Sequence, residues 1–227
     1  MDTVFIRLCG PMQSWGLAGR FDVKDSAPWP TKSGVVGLVA SALGINRFGN
    51  IDHLVSLRLA VAVLREGTMN VDYHTATMSA RSGPKHSDKT AQTWRAYISD
   101  GDFVASLTGD SSTIQAIKSA IRDPAWIPFL GRRSYAPSTP LLVDIEGANS
   151  GDLRIDMIDA VTQVLAQQGV HGAQRITFAI ECGEETATAT LPDQPIGRFA
   201  DRRFARRAIR TSVEEFHIGT DLLEEGL

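Results

Sequence analysis

The order of the apolar segments is the feature that most narrows what this chain can fold into. Runs of strand length, rich in branched and aromatic residues, stand at residues 3–8, 57–65, 71–77, 93–99, 103–107 and 140–145. Two segments, residues 31–45 and 111–123, have helical spacing instead. This order is typical of a β-α-β-β-α-β ferredoxin-like unit with an insertion between its middle strands. We therefore expect an α+β fold that shares its chain order with RNA-recognition modules.

Turn and cap residues refine this prediction. Thr31 or Ser33 can cap the first helix, and Gly44 can end it. The second helix is expected to begin at a cap formed by Ser111 or Ser112 and to stop before Pro124. Asp100-Gly101 between two apolar runs predicts a hairpin that joins residues 93–99 to residues 103–107.

The composition changes after residue 147. Residues 148–151, Ala-Asn-Ser-Gly, indicate a linker, residues 153–167 a helix, and residues 176–182 a strand. We therefore divide the chain into a ferredoxin-like part, residues 1–147, and a smaller C-terminal α/β part, residues 148–227.

Several classes of protein are disfavoured by what the sequence lacks. No apolar run approaches the ~20 residues of a membrane span, and the first residues, MDTVFIRL, lack the basic start of a signal peptide. Cys9 and Cys182 stand far apart, without metal-binding spacing, and are expected to be buried free thiols. These features predict a cytoplasmic protein with no metal or other cofactor.

The distribution of charge along the chain is more informative about binding partners than the net charge of −3. Residues 198–210 contain six arginines and one aspartate, whereas residues 213–227 are acidic. If the basic segment were a helix, its i, i+4 arginine pairs would form a basic face, with Arg202, Arg203 and Arg206 as candidate contacts. Like charges at that spacing destabilise a helix. An anionic partner is therefore indicated, either RNA or an acidic protein surface.

Two further stretches could bind phosphate. Lys32, Ser33 and Gly34 stand at the start of the first helix, where unpaired N–H groups and the helix dipole favour anions. The alternative is an ordinary capped helix. Arg132 and Arg133 follow Gly131 in a turn and could clamp a phosphate. The alternative there is a solvated loop.

Tyr73, His74, Lys85 and His86 include the residue types that metal-free RNA cleavage needs, namely a base for the 2′-OH and an acid for the leaving oxygen. Nothing in the sequence shows that they converge. The polar loop that contains Lys85 also carries Arg81 and Lys89, which makes it a candidate basic surface.

A tryptophan in the first loop, GPMQSWG at residues 10–16, has no evident role in a turn. Trp15 could cover the sheet or the helix at residues 31–45, whose small residues recur every three or four positions. Alternatively, Trp15 could contact a ligand, with Gln13 and Ser14 as hydrogen-bonding neighbours.

Five stretches together resemble one family: LCGPMQSWG (8–16), WPTKSGVVGLVASALGI (29–45), DYHT (72–75), QTWRAYISD (92–100) and PFLGRRS (128–134). Their order and spacing are similar to those of the Cas5 family of CRISPR-associated proteins, in its subtype I-E branch. The resemblance implies a modified RNA-recognition fold with a protruding thumb, placed here near residues 76–100. It also implies a non-catalytic subunit of the Cascade surveillance complex that holds the 5′ handle of the CRISPR RNA. The implied neighbours are a backbone filament subunit and the large PAM-reading subunit, with target DNA bound indirectly.

The resemblance and the basic stretches together give the predicted RNA-binding residues. They are Gln13, Ser14, Trp15, Lys32, Ser33, Gly34, Arg81, Lys85, Lys89, Trp94, Arg95, Arg132, Arg133, Arg202, Arg203 and Arg206. Two alternatives stay open: a metal-free endoribonuclease that processes precursor CRISPR RNA, using Tyr73, His74, Lys85 and His86, and a purely protein-binding adaptor.

Overall fold

A computed structural model describes residues 1–17, 19, 22–78, 89–145 and 150–219. Within these residues the strands are β1 (Asp2–Cys9), β2 (Met12–Gln13), β3 (Val23–Lys24), β4 (Arg58–Arg65), β5 (Thr68–Met78), β6 (Lys89–Ser99), β7 (Asp102–Gly109), β8 (Leu142–Val143), β9 (Gly172–Glu181), β10 (Ala189–Pro195) and β11 (Phe204–Ile218). The helices are α1 (Lys32–Ala42), α2 (Asp52–Val55), α3 (Ser111–Arg122) and α4 (Leu153–Gln167). Short 3₁₀ turns form at Glu184–Thr186 and Phe199–Asp201. Among the helices of this described part, none is long and apolar enough to cross a membrane.

Seven strands form one antiparallel sheet in the order β10-β11-β9-β4-β7-β1-β8. The strands after residue 147 extend the sheet directly, because β9 pairs with β4 and places Ile180 opposite Ala60. The sheet therefore runs without a break across the boundary that the sequence suggests at residue 147.

Both faces of this sheet are buried, because its central strands alternate between two cores. Val4, Leu59 and Phe103 face the core that α1 and α3 cover. The residues that follow them in the chain, Phe5, Ala60 and Val104, face the core that α4 covers. We call these two sides the α1 face and the α4 face.

β5 and β6 pair along their length as a ribbon in a second, smaller sheet, with Thr68 opposite Ser99 at its base. The short strands β2 and β3 pair with the other edge of β6, β2 at its base and β3 at Trp94 and Arg95. The predicted hairpin across Asp100-Gly101 is wrong, because β7 pairs with β1 and β4 rather than with β6. Asp100 does turn the chain, with φ 57°, but the turn carries it from one sheet to the other. Turn residues are a local signal and leave open which strands pair.

The predicted helices are present, with one corrected cap. α1 begins after Thr31, whose Oγ1 accepts the N–H of Gly34, and it is followed by left-handed Gly44. α3 is capped by Asp110, whose carboxylate accepts the N–H of Thr113. The cap is therefore neither Ser111 nor Ser112.

The helix predicted for residues 198–210 is also wrong. Only Phe199–Asp201 makes a 3₁₀ turn, which ends at left-handed Arg202 (φ 48°), and the segment from Phe204 onward belongs to β11. Pairing with both β9 and β10 fixes β11 as a strand. Strand alternation sends Arg206 and Arg207 to opposite faces, so the repulsion expected of helical i, i+4 arginines does not arise.

Candidate nucleic-acid interface

Gln13 and Trp15 form a buried polar chain at the base of the β5–β6 ribbon. Both side chains are fully buried. The indole Nε1 of Trp15 donates to Gln13 Oε1 at 3.2 Å. Gln13 Nε2 in turn donates to the carbonyl oxygens of Leu8, at 3.0 Å, and Gly101, at 2.7 Å. The loop from the first strand is thereby tied to the crossing between the two sheets, and these two side chains expose no surface to a ligand.

Ser14, between them, links two other stretches of the resemblance, residues 92–100 and 128–134. Its Oγ donates to the carbonyl of Ala96 on β6 at 3.2 Å, and its N–H donates to the carbonyl of Leu130 at 3.0 Å. Gly131 has φ 90°, and a Cβ there would stand 1.7 Å from the carbonyl oxygen of Ser14. Glycine is therefore required at position 131 by this close backbone approach.

Arg132 and Arg133 have different environments despite being adjacent. Arg132 donates from Nη1 to the Tyr135 hydroxyl at 2.7 Å and from Nη2 to the Ala96 carbonyl at 2.8 Å. Its guanidinium also lies 5.3 Å from the centre of the Tyr135 ring. Arg133 is exposed. Arg132 therefore holds β6 in place, while Arg133 is accessible to a partner.

Lys32 points into the protein rather than to solvent. Its side chain is 1% exposed, and Nζ lies 3.0 Å from both carboxylate oxygens of Glu181. Burial lowers the pKa of Lys32, an effect that the Glu181 charge partly offsets. The backbone N–H of Lys32 donates to Asp193 at 2.9 Å, and Asp193 also binds Arg207 through two hydrogen bonds. The anion at this helix start is thus a carboxylate of the same chain.

Two aromatic side chains pack against the small residues of α1. A Cβ at Gly34 would lie 2.6 Å from Trp15 Cε3, whereas a Cβ at Gly37 would lie 3.8 Å from Phe199 Cζ. Ser33 and Gly34 remain half-buried. The glycines thus let α1 pack closely against Trp15 on one side and against the arginine-rich turn on the other.

The middle of the β5–β6 ribbon carries an exposed aromatic pair. Tyr73 and Trp94 lie opposite each other, with ring centres 5.6 Å apart and planes at 55°. They are 54% and 43% exposed. Arg95, on the other face of the ribbon, is half-buried and donates from Nε to Thr93 Oγ1. Two π-faces are thus available at the protein surface.

The residues of the cleavage alternative are not brought together within the described part of the chain. Tyr73 and His74 are successive residues of β5, so their side chains point to opposite faces of the ribbon. Lys85 and His86 lie outside the described residues, as does Arg81. Lys89 is the first residue of β6.

Arg202, Arg203 and Arg206 are exposed. Within the described residues their side chains make no ion pair or hydrogen bond, whereas neighbouring Arg198 pairs with Asp201. The N–H of Ala200 donates to the carbonyl of Arg47 at 3.0 Å, which fixes this turn beside the end of α1.

Sequence reasoning missed Glu181 and Asp193, which hold Lys32 and Arg207. Both acids are more than 140 residues from Lys32, and no spacing rule links them. It also missed that four of the five family-like stretches meet around Gln13, Ser14, Trp15, Gly34 and Ala96. The signal in the sequence was that the order and spacing of these stretches are similar to those of the family, which is expected of segments that pack together.

Comparison with known proteins gives a consistent picture. A family model described as CRISPR-associated protein (Cas_Cas5) matches residues 3–214. The Cascade subunit CasD of Escherichia coli (strain K12) is 33% identical over 156 residues, which cover 62% of this chain and 69% of that protein. A crystal structure of a Cas protein has a TM-score of 0.71 at 34% identity, covering 93% of this chain and 94% of the other. A chain of a CRISPR RNA-guided surveillance complex has a TM-score of 0.74 at 26% identity, with coverages of 95% and 91%.

Proposed function

The chain belongs to the Cas5 family of CRISPR-associated proteins, and from this we propose that it is a non-catalytic, RNA-binding subunit of a Cascade-type surveillance complex. In this role it binds the 5′ handle of the CRISPR RNA and caps one end of the backbone filament. Its neighbours are the terminal filament subunit and the large PAM-reading subunit, and it meets target DNA only through the complex. Its similarity to CasD and to a chain of an RNA-guided complex supports this proposal.

The exposed Tyr73–Trp94 pair is the observation that carries the proposal. Single-stranded RNA is commonly bound by stacking splayed bases on aromatic side chains, at about 1–3 kcal/mol per base. A half-exposed aromatic pair on the β5–β6 ribbon has the surface for this purpose. We assign the thumb role to the β5–β6 ribbon, which includes the later part of the segment 76–100.

The core of the RNA-binding unit, in this proposal, is the β1–α1–β4–β7–α3–β8 portion. Its strands stand in the order β4-β7-β1-β8, with α1 and α3 as the two crossovers. That arrangement supports the proposed ferredoxin-like topology. In chain order, the ribbon is inserted between β4 and β7, the second and third of these four strands.

The predicted contact residues take two roles in this proposal. Those that are exposed or half-buried are candidates for touching RNA: Ser33, Gly34, Trp94, Arg95, Arg133, Arg202, Arg203 and Arg206. Arg81 and Lys85, which lie outside the described residues, and Lys89, the first residue of β6, stay candidates from the sequence. Those that are buried or tied to the backbone support that surface: Gln13, Ser14, Trp15, Lys32 and Arg132. The exposed arginines supply the phosphate contacts that a chain of net charge −3 needs on its RNA-facing side.

Handle binding can be tested by fluorescence anisotropy with the repeat-derived handle RNA. Trp94→Ala and Tyr73→Ala should each weaken binding by about 5- to 150-fold, the equivalent of 1–3 kcal/mol. Trp126→Ala is the matched control, because Trp126 is 48% exposed but lies in the loop after α3. Unchanged affinity in both ribbon variants would refute the assignment of the ribbon as the stacking surface.

The same protein should leave repeat RNA with an intact 2′-OH uncut, because Tyr73 and His74 face away from each other. A 2′,3′-cyclic phosphate product that disappears in Tyr73→Phe or His74→Ala would instead establish the endoribonuclease alternative. An adaptor that binds only protein would be indicated if Arg133→Ala and Arg203→Ala left both the affinity for handle RNA and its salt dependence unchanged.

A further inference from the structure

A groove of about 740 Å³ opens on the α4 face of the seven-stranded sheet, beside the start of α4. Its floor includes Ile180 of β9, which lies between Ala60 of β4 and Arg210 of β11. Arg58, two residues before Ala60, lines the same groove. This side of the sheet is opposite the one that α1 covers, and none of the residues lining the groove is among the handle contacts proposed above, although Arg206, farther along β11, is one of them.

The carboxylates that line the groove already have partners. Glu214 accepts two hydrogen bonds of 2.7 Å from Arg154. Asp152 accepts the backbone N–H of Arg154 as the cap of α4. The carboxylate of Glu181 is held by Lys32 on the α1 face. The charges of Glu214 and Glu181 are therefore balanced by Arg154 and Lys32, whereas Asp152, which accepts only a backbone N–H, keeps a net negative charge in the groove lining.

Two arginines of the groove are left without a charged partner. Arg210 is exposed and makes no hydrogen bond or ion pair with any residue that the structure describes. Arg58 makes a single hydrogen bond of 3.3 Å, to the backbone carbonyl of Glu181. Arg58 belongs to β4 and Arg210 to β11. Because only β9 lies between these two strands, their backbones are about 10 Å apart. The groove thus presents two guanidinium groups that have no ion-pair partner within the described residues.

The line of positive charge continues along β11. Arg206 is exposed and lies on the same face as Arg210, four residues away, which is about 13 Å along a strand. A single small anion cannot contact cations spread over this length, whereas a polyanion can. The residues that line the groove are Arg58, Gly151, Asp152, Leu153, Arg154, Ile180, Glu181, Cys182, Thr186, Arg210, Ser212, Val213 and Glu214. Because this described lining holds no aromatic ring, it offers no platform on which bases could stack.

We propose that this groove binds the sugar–phosphate backbone of a nucleic-acid strand through Arg58 and Arg210, with Arg206 extending the contact and without reading the bases. Guanidinium groups bind phosphate oxygens through paired N–H donors. This second site goes beyond handle binding and depends on none of the ribbon residues.

The test uses the full chain and a short abasic deoxyribose-phosphate strand, which has phosphates but no bases to stack on Tyr73 or Trp94. Binding is followed by anisotropy as a function of salt. The double variant Arg58→Ala/Arg210→Ala should bind more weakly and should reduce the slope of log affinity against log salt by about 1.4, at about 0.7 per phosphate contact on a single strand. Arg175→Ala is the control, because Arg175 is an exposed arginine of β9 on the opposite face.

Three results would overturn the proposal. The first is an unchanged slope in the double variant, and the second is an equal loss in Arg175→Ala. The third is tighter binding of a polyglutamate peptide than of the abasic strand, lost in the same double variant, which would make the groove a site for acidic protein. Handle RNA, measured in parallel, shows that the double variant is folded. It also separates the two proposals, because Trp94→Ala should lose handle affinity and keep binding the abasic strand.

Discussion

At the scale of single residues, Trp15 shows how a surface-looking loop residue can be a core residue. The sequence left open whether it covers the fold or meets a ligand, and the structure answers with an indole buried against Gly34 and hydrogen-bonded to Gln13. The predicted cap at Thr31 was readable because capping is local. The burial of Lys32 was not, because its partners Glu181 and Asp193 come from distant strands.

The contact between Gly34 and Trp15 predicts opposite outcomes at two glycines of α1. Gly34→Ala should destabilise the protein by about 1–3 kcal/mol, because the new methyl group overlaps the Trp15 ring. Gly37→Ala should be neutral or stabilising by up to about 1 kcal/mol, since its methyl group makes an ordinary contact and alanine favours the helix. Urea unfolding followed by circular dichroism measures both. Equal stabilities for the two variants would contradict this account of the glycine stripe.

At the scale of elements, the sequence predicted which segments are strands better than it predicted which strands pair. Residues 93–99 and 103–107 are both in strands, but the Asp100-Gly101 turn joins two sheets. The arginine-rich segment likewise looked helical when only its charge spacing was counted. Its conformation is decided by pairing with β9 and β10, and pairing is a tertiary property.

The adjacent arginines 132 and 133 allow the anchoring of β6 to be tested. Arg132→Ala removes a hydrogen bond to the Ala96 carbonyl and should reduce amide-exchange protection around Ala96, at a cost of about 1–3 kcal/mol. Arg133→Ala should leave that protection intact, because its side chain is exposed, and should weaken only RNA binding. Hydrogen-exchange mass spectrometry distinguishes the two. Unaltered protection of β6 in Arg132→Ala would remove Arg132 from the anchor.

At the scale of the whole molecule, the continuous seven-stranded sheet makes the two sequence-defined parts interdependent. β9 pairs with β4, and α4 covers the face that carries Ala60, Ala62 and Val104. The linker-like composition at residues 148–151 carried no information about which surfaces the later strands would cover.

A chain of residues 1–147 should therefore fail to fold on its own. Without β9 and α4, one edge of β4 and one apolar face of the sheet are exposed, which favours aggregation. Full-length protein should unfold in a single cooperative transition in urea, whereas residues 1–147 should show none and should elute as aggregates in size-exclusion chromatography. A monomeric, cooperatively unfolding fragment would instead establish it as an independent domain.

Because the ribbon is long and leaves the larger sheet at Asp100-Gly101, a small tilt at this crossing produces a large displacement at the far end of the ribbon. The 11 residues of β5 extend about 35 Å from the base, so a tilt of about 5° there moves the far end by about 3 Å. That displacement is comparable to the spacing of stacked bases. The direction in which the ribbon points therefore depends on how rigidly its base is held. Gln13, Ser14 and Arg132 hold this base through hydrogen bonds to the surrounding backbone.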